Sequence, residues 1–215
     1  MFWCINECLI VVKKSVSNKS INMKKAQQIR FLTGIFLILS LNLSAQNLKN
    51  YFSVSEVSFS NTIYKLAWSS HPNDVYYKQE YLPAGEKSES FKTMIMIEAI
   101  TVDASIENVV RLKESELQER KKTDQVCNYQ ITTNSQTGEY MIDFLLSSGD
   151  IVEWNAYRYK KIVDTKGKPT VLLFALSKRA YGNDYKNFLV GLKSERIDAI
   201  NLVWKYNLST IKLQD

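Results

Sequence analysis

Residues 138–158 read GEYMIDFLLSSGDIVEWNAYR, and this stretch decides the fold. Two runs rich in apolar, aromatic and β-branched residues flank Ser148-Gly149, a dipeptide that suits a two-residue hairpin turn. We therefore predict a β-hairpin with strands at 138–146 and 151–163. With the turn at Ser148-Gly149 the register follows by counting, and opposite charges and aromatic rings meet across the strands. The predicted pairs are Asp143 with Trp154, Tyr140 with Tyr157, and Glu139 with Arg158.

Further strand patterns extend this hairpin into a larger sheet. Turn-forming residues 69–74 separate two strand-like runs, 63–68 and 75–82, which we predict to pair as a second hairpin. Residues 91–102 are almost continuously apolar, which predicts a strand buried on both faces. The remaining predictions are strands at 128–133 and 170–178, an edge strand or docked arm within 46–61, and a closing tail at 208–213.

Helical spacing appears in two regions. Apolar residues recur on one face between Asp103, a predicted N-cap, and about Lys122. Asp184 is predicted to cap a second helix, and Ser194 to start a third that continues through Val203. The predicted fold class is therefore α+β: a single domain with a mostly antiparallel β-sheet covered by two or three helices.

Three segments carry a resemblance to known proteins: residues 80–86 (EYLPAGE), 138–146 (GEYMIDFLL) and 153–158 (EWNAYR). In this order, with an apolar strand and a helix between the first two, they resemble a group of small uncharacterised exported bacterial proteins. Over about residues 63–203 the element order is similar to the Mog1/PsbP-like architecture. Mog1-type proteins bind a small GTPase and PsbP-type proteins serve photosystem II, but none of their functional residues has a counterpart here. The resemblance therefore implies a fold and no activity.

The N-terminal region has the layout of a secretory signal peptide. Basic residues follow Met23, residues 31–41 are apolar, and Ser44-Ala45 are small. The apolar run is shorter than the roughly 18 residues of a membrane-spanning helix. We predict that 1–22 is an upstream extension before the true start, 23–45 a signal peptide, 46–62 a polar arm and 63–215 the folded domain. The expected location is periplasmic or extracellular, with no membrane anchor after cleavage.

Removing this leader changes the charge and the cysteine count. The chain has 28 basic and 22 acidic residues, and six of the former and one of the latter precede Gln46. Residues 46–215 therefore carry a formal net charge of only +1, which argues against nucleic acid as a partner. Cys127 is the one cysteine after Gln46, so an intramolecular disulfide is excluded there.

Few catalytic constellations are compatible with these residues. His71 is the single histidine, so metal sites with several histidines are excluded. A Ser/His/Asp triad, or a catalytic pair of a histidine with Cys127, would have to use His71. No glycine-rich phosphate loop occurs. The sequence predicts neither a cofactor nor a metal site. Carboxylates are the remaining catalytic groups, and Glu139, Asp143 and Glu153 lie on neighbouring predicted strands, with Glu153 on the opposite face from the other two.

These observations favour an exported, non-enzymatic domain that binds a protein, a small molecule or a glycan. The alternative is a carboxylate-based hydrolase of envelope or extracellular glycan that uses two of the three carboxylates. Another interpretation is a carrier of an apolar ligand, lined by Met94, Met96, Met141 and Phe144. The candidate binding surface combines aromatic and basic side chains near one hairpin tip: Tyr157, Tyr159, Lys160, Lys161, Lys166 and Lys168.

Overall fold

The computed structural model describes residues 48–214, so the predicted extension at 1–22 and signal peptide at 23–45 lie outside the described residues. Eight strands form one open antiparallel sheet in the order β1-β2-β3-β4-β8-β7-β6-β5. The strands are β1 (Glu56–Phe59), β2 (Thr62–Asn73), β3 (Tyr76–Pro83), β4 (Thr93–Thr101), β5 (Asn128–Asn134), β6 (Glu139–Ser148), β7 (Ile151–Val163) and β8 (Pro169–Tyr181). The helices are α1 (Ile106–Lys121) and α2 (Tyr185–Lys205).

The α+β, Mog1/PsbP-like fold class predicted from the sequence is wrong. An eight-stranded open sheet dominates the part of the chain that the structure describes, which has two α-helices. The sequence reading shortened several strands because it treated polar residues as turns. The clearest case is β2, which continues through His71 to Asn73 with irregular pairing after Ser70. The third helix does not exist separately, since α2 runs unbroken past Ser194.

The central β6–β7 hairpin forms with a register two residues away from the predicted one. Ser148 pairs with Ile151, so the turn residues are Gly149 and Asp150, and Gly149 has the positive φ of +57° that tight hairpin turns favour. A two-residue shift leaves every side chain on its predicted face because the strand period is two. Tyr140 consequently pairs with Tyr159 instead of Tyr157.

Two predicted side-chain contacts survive this shift as diagonal pairs. Arg158 Nε donates to Glu139 Oε2 at 2.6 Å, and Trp154 Nε1 donates to Asp143 Oδ1 at 3.2 Å. Diagonal neighbours on one face lie within reach of long side chains. The sequence therefore predicted which residues touch, while the hydrogen-bonded register differs.

The N-terminal arm and the C-terminal tail close one side of the sheet together. Phe52 is fully buried, and its carbonyl accepts from Lys212 N at 3.3 Å, next to a bond from Gln214 N to Tyr51 O at 2.7 Å. The arm then forms the edge strand β1. The tail buries Ile211 and Leu213.

Apolar side chains cover both faces of the sheet, and each helix packs on a different face. On the α2 face, Trp154 and Phe174 belong to the cluster that contains Val203, whereas on the α1 face Phe144 and Leu173 belong to the cluster that contains Leu117. Strand β4 contributes to both clusters, which confirms the prediction of a doubly buried strand. Within residues 48–214, neither helix is long and apolar enough to span a membrane.

Two buried carboxylates fasten α2 to the sheet. Glu139 holds Arg158, whose Nη1 donates to the carbonyls of Val203 at 3.1 Å and Tyr206 at 2.8 Å at the C-terminal end of α2. Asp143 accepts two bonds from Arg196 of the same helix, at 2.6 and 2.8 Å. Arg158 thus satisfies helix carbonyls that would otherwise lack donors.

Helix α1 is fixed at both ends by side-chain hydrogen bonds. Its N-cap is Ser105 and not the predicted Asp103, because the Ser105 hydroxyl accepts from Asn108 N at 3.1 Å. Beyond its C-terminus, Asp124 accepts from the amide and the hydroxyl of Ser147, both at 2.6 Å. Burial raises the pKa of Asp124. The hydrogen bonds from Ser147, Val126 and Arg120 together lower the pKa by more than burial raises it, so the pKa lies below its ordinary value.

We expect Arg158→Met to lower the free energy of unfolding by about 3–5 kcal/mol. The substitution leaves the buried Glu139 carboxylate without its guanidinium partner and removes two hydrogen bonds at the end of α2. Chemical denaturation followed by tryptophan fluorescence measures this loss. Lys178→Met serves as the control, since Lys178 pairs with the exposed Glu195 and should contribute at most about 1 kcal/mol. Equal losses in the two variants would contradict the anchoring role of Arg158.

Asp124→Asn should cost about 1–3 kcal/mol at neutral pH through its weakened bonds to Ser147. Because the pKa of Asp124 is lower in the folded than in the unfolded protein, the carboxylate stabilises fully above about pH 4, and this contribution is lost as the pH falls through the folded pKa. The difference from wild type should therefore shrink in acid. Denaturation at several pH values tests this, with the exposed Glu119→Gln as control; a constant difference would refute it.

Candidate functional site

A shallow groove lies between the tip of the β5–β6 hairpin and the last turn of α2. Its volume is about 340 Å³. The side chains that line it are polar and uncharged apart from one indole ring: Thr132, Thr133, Asn134, Ser135, Gln136 and Trp204. We call this site the Trp204 groove.

The hairpin tip is shaped by its own hydrogen bonds. Asn134 Oδ1 accepts from the amides of Gln136 at 3.0 Å and Thr137 at 3.3 Å. The Asn134 carbonyl also accepts from Gly138 N at 2.8 Å, and Gly138 has the positive φ of +69° that this tight return requires. These bonds leave the hydroxyl of Ser135 and the side-chain carboxamide of Gln136 on an exposed rim.

Trp204 is positioned by the interaction that anchors α2. It follows the fully buried Val203, and the guanidinium carbon of Arg158 lies 5.6 Å from its ring centroid. Because Arg158 is held by Glu139 and by the helix end, the indole has a fixed cationic neighbour on one side. The ring is half-buried and contributes to the groove wall.

This set of groups suits one kind of ligand. Hydroxyls and carboxamides can each donate and accept hydrogen bonds, whereas an aromatic face attracts the apolar C–H face of a ring. None of the six lining residues carries a charge. The groove is therefore complementary to a neutral, polyhydroxylated ring.

The three candidate carboxylates occupy ion pairs. Glu139 binds Arg158 and lies 3.6 Å from Lys160, and Asp143 binds Arg196 in bidentate fashion. Glu153 accepts from Arg179 Nε at 2.6 Å, on the opposite face as predicted. Since each carboxylate is committed to a guanidinium, the geometry gives no support to a glycosidase pair.

The predicted aromatic and basic surface does not come together. Tyr157 and Tyr159 are buried in the cluster beneath α1, so they cannot form an exposed platform. Lys160 faces the other side of the sheet beside Glu139, and Lys161 pairs with Asp103 at 3.5 Å. Lys166 and Lys168 are exposed in the β7–β8 loop, where their backbone amides donate to Asp164.

The other candidate residues are placed apart as well. Met94, Met96 and Phe144 pack on the α1 face but Met141 on the α2 face, so the four do not line a common cavity. The His71 ring stacks on Tyr77 at 4.0 Å between centroids, with Nδ1 3.0 Å from Tyr76 O.

The lone thiol is also a packed group. Cys127 is buried, its Sγ donates to the Leu117 carbonyl at 3.5 Å, and burial raises the pKa of the thiol. A raised pKa disfavours the nucleophilic thiolate. Among residues 48–214, no three His, Cys, Asp or Glu side chains group as metal ligands.

Sequence reasoning missed the Trp204 groove. Residues 132–136 are a strand end and a polar turn, and Trp204 sits one residue from a core position of a helix. Each is ordinary by itself. Their juxtaposition joins residues about 70 positions apart, which no local pattern reports.

Comparison with known proteins defines the relationships of the chain. No curated protein matches it. The model of one protein family, which is uncharacterised, matches residues 52–208, a range that contains all eight strands and both helices. The chain therefore belongs to this uncharacterised protein family.

Proposed function

We propose that this protein is an exported, non-enzymatic binding domain that holds a neutral carbohydrate in the Trp204 groove. The observation that carries the proposal is the lining itself: five hydroxyl or carboxamide side chains beside one aromatic face, with no charge among them. Hydrogen-bonding groups that are few and fixed give orientation, and the ring gives contact area.

The rigidity of the groove supports a binding role. Its two walls belong to different elements, and the Glu139–Arg158 pair connects them, because Glu139 begins β6 just after the hairpin tip while Arg158 holds the end of α2. A preformed site loses little conformational entropy when a ligand enters.

Export is the second part of the proposal. It is supported by the basic head, apolar middle and small-residue exit at residues 23–45, and by the near-neutral charge of the chain that follows. In the periplasm or outside the cell, glycans of the envelope or of the surroundings are the abundant neutral polymers that such a groove would meet.

Binding without hydrolysis fits the surroundings of the groove. Glu139 is the nearest of the candidate carboxylates along the hairpin, and its oxygens face Arg158 and Lys160. A catalytic carboxylate needs open access to its substrate and to water, and the ion pairs with Arg158 and Lys160 occupy the Glu139 oxygens.

Trp204→Ala should weaken carbohydrate binding about 30-fold, the equivalent of about 2 kcal/mol for loss of a stacking ring. Titration of the protein with a panel of neutral oligosaccharides, followed by the indole resonances of ¹⁵N-labelled protein, gives the affinities. The Trp204 resonance should move and that of the buried Trp154 should not.

Lys166→Ala is the matched control, since this residue is exposed on a different hairpin and should leave the affinity unchanged. If no oligosaccharide in the panel moves the Trp204 resonance, or if Trp204→Ala binds as well as wild type, the proposed function is wrong.

A further inference from the structure

Strand β5 leaves one edge of the sheet open. It is the last strand in the sheet order, so one side of its backbone pairs with β6 and the other side pairs with no strand of residues 48–214. Four of its seven residues are exposed. In an edge strand every second residue directs its N–H and C=O groups outwards, and these groups can pair with a further strand.

This edge lacks the features by which natural proteins protect their sheets. Protected edge strands are short, or they contain a charged side chain, a proline or a bulge. Strand β5 is seven residues long, reads NYQITTN, and pairs with β6 without a register shift. The opposite edge strand, β1, has four residues and includes the charged Glu56. The sheet therefore has one edge that is open to pairing and one that is protected.

The sequence of β5 is complementary to itself in the antiparallel direction. When Ile131 lies on a two-fold axis, every residue of the strand faces a residue of the partner subunit. The pairs are then Asn128 with Asn134, Tyr129 with Thr133, Gln130 with Thr132, and Ile131 with its own copy. Aromatic and β-branched residues meet on the α1 face, where Tyr129 and Ile131 lie. Amides and hydroxyls, which both donate and accept hydrogen bonds, meet on the other face, and no pair contains a charge.

The charges around β5 also favour antiparallel pairing of two copies. Lys121 Nζ donates to Asn128 Oδ1 at 3.3 Å, and Arg196 Nη2 donates to Gln130 Oε1 at 2.8 Å. Both cations thus contact the first half of the strand, whereas the second half and the hairpin tip, residues 132–138, carry no charge. Antiparallel pairing places the half that contacts cations opposite the neutral half of the partner strand, so like charges do not meet.

We propose that two copies of this protein pair through β5 and form a symmetric dimer, in which the two eight-stranded sheets join into one continuous antiparallel sheet. Each copy offers the same edge to the other, which is the arrangement of a closed two-fold interface. Assembly stops at two copies because the remaining edge of each sheet is the protected strand β1. The dimer does not depend on the proposed carbohydrate binding, because the β5 backbone forms it without any ligand.

Sedimentation velocity of the purified protein over a range of concentrations tests the dimer. We expect a reversible equilibrium between one copy and two. Ile131→Lys places two ammonium groups opposite each other at the two-fold axis and should weaken the dimer about tenfold or more. Ser58→Lys is the matched control, since Ser58 is exposed on β1 and should leave the dimer unchanged. A protein that stays monomeric at every concentration, or a folded Ile131→Lys that dimerises like wild type, would overturn the proposal.

Cysteine cross-linking gives a second measurement that does not require a disruptive substitution. Only the residue on the axis faces its own copy, so Ile131→Cys should form an intermolecular disulfide under mild oxidation, seen as a dimer on a non-reducing gel. Thr133→Cys is the control, because the two copies of Thr133 would lie about 13 Å apart along the strands. Both variants keep Cys127, which is buried. Equal cross-linking at the two positions, or none at Ile131→Cys, would show that β5 does not pair with itself in this way.

Discussion

The pairing of Glu139 with Arg158 is the interaction on which the α2 side of the molecule depends. Both side chains are buried, so each would be costly alone, and the pair is compensated because Arg158 also donates to two carbonyls at the end of α2. The Arg158 guanidinium therefore neutralises a carboxylate of β6, donates to the carbonyls at the end of α2 and lies against the Trp204 ring. Asp143 and Arg196 form a second ion pair between the sheet and the same helix, nearer to the middle of the helix.

The width of the sheet explains why polar side chains remain on both of its faces. On one face, α2, the N-terminal arm and the C-terminal tail bury a continuous apolar cluster, and what remains open is the neutral groove at the hairpin tip. On the other face, α1 covers β5 to β7 and leaves the β2–β4 region with charged side chains. A sheet of eight strands is wider than one helix, and the strands beyond the helix are thus free to carry polar groups.

The Trp204 groove offers uncharged hydrogen-bonding groups around an aromatic ring, so shape and hydroxyl pattern would determine what binds.

By itself the sequence determined the hairpins, the doubly buried strand β4, the face on which each β6 and β7 side chain lies, and the contact between Glu139 and Arg158. These follow from local period and from opposite charges. Only the tertiary structure decided the register, because a shift of two residues preserves every face, and the continuity of α2, because Ser194 is exposed and tolerated within it. It alone also placed residues 132–136 against Trp204, since packing, and not sequence spacing, joins segments so far apart.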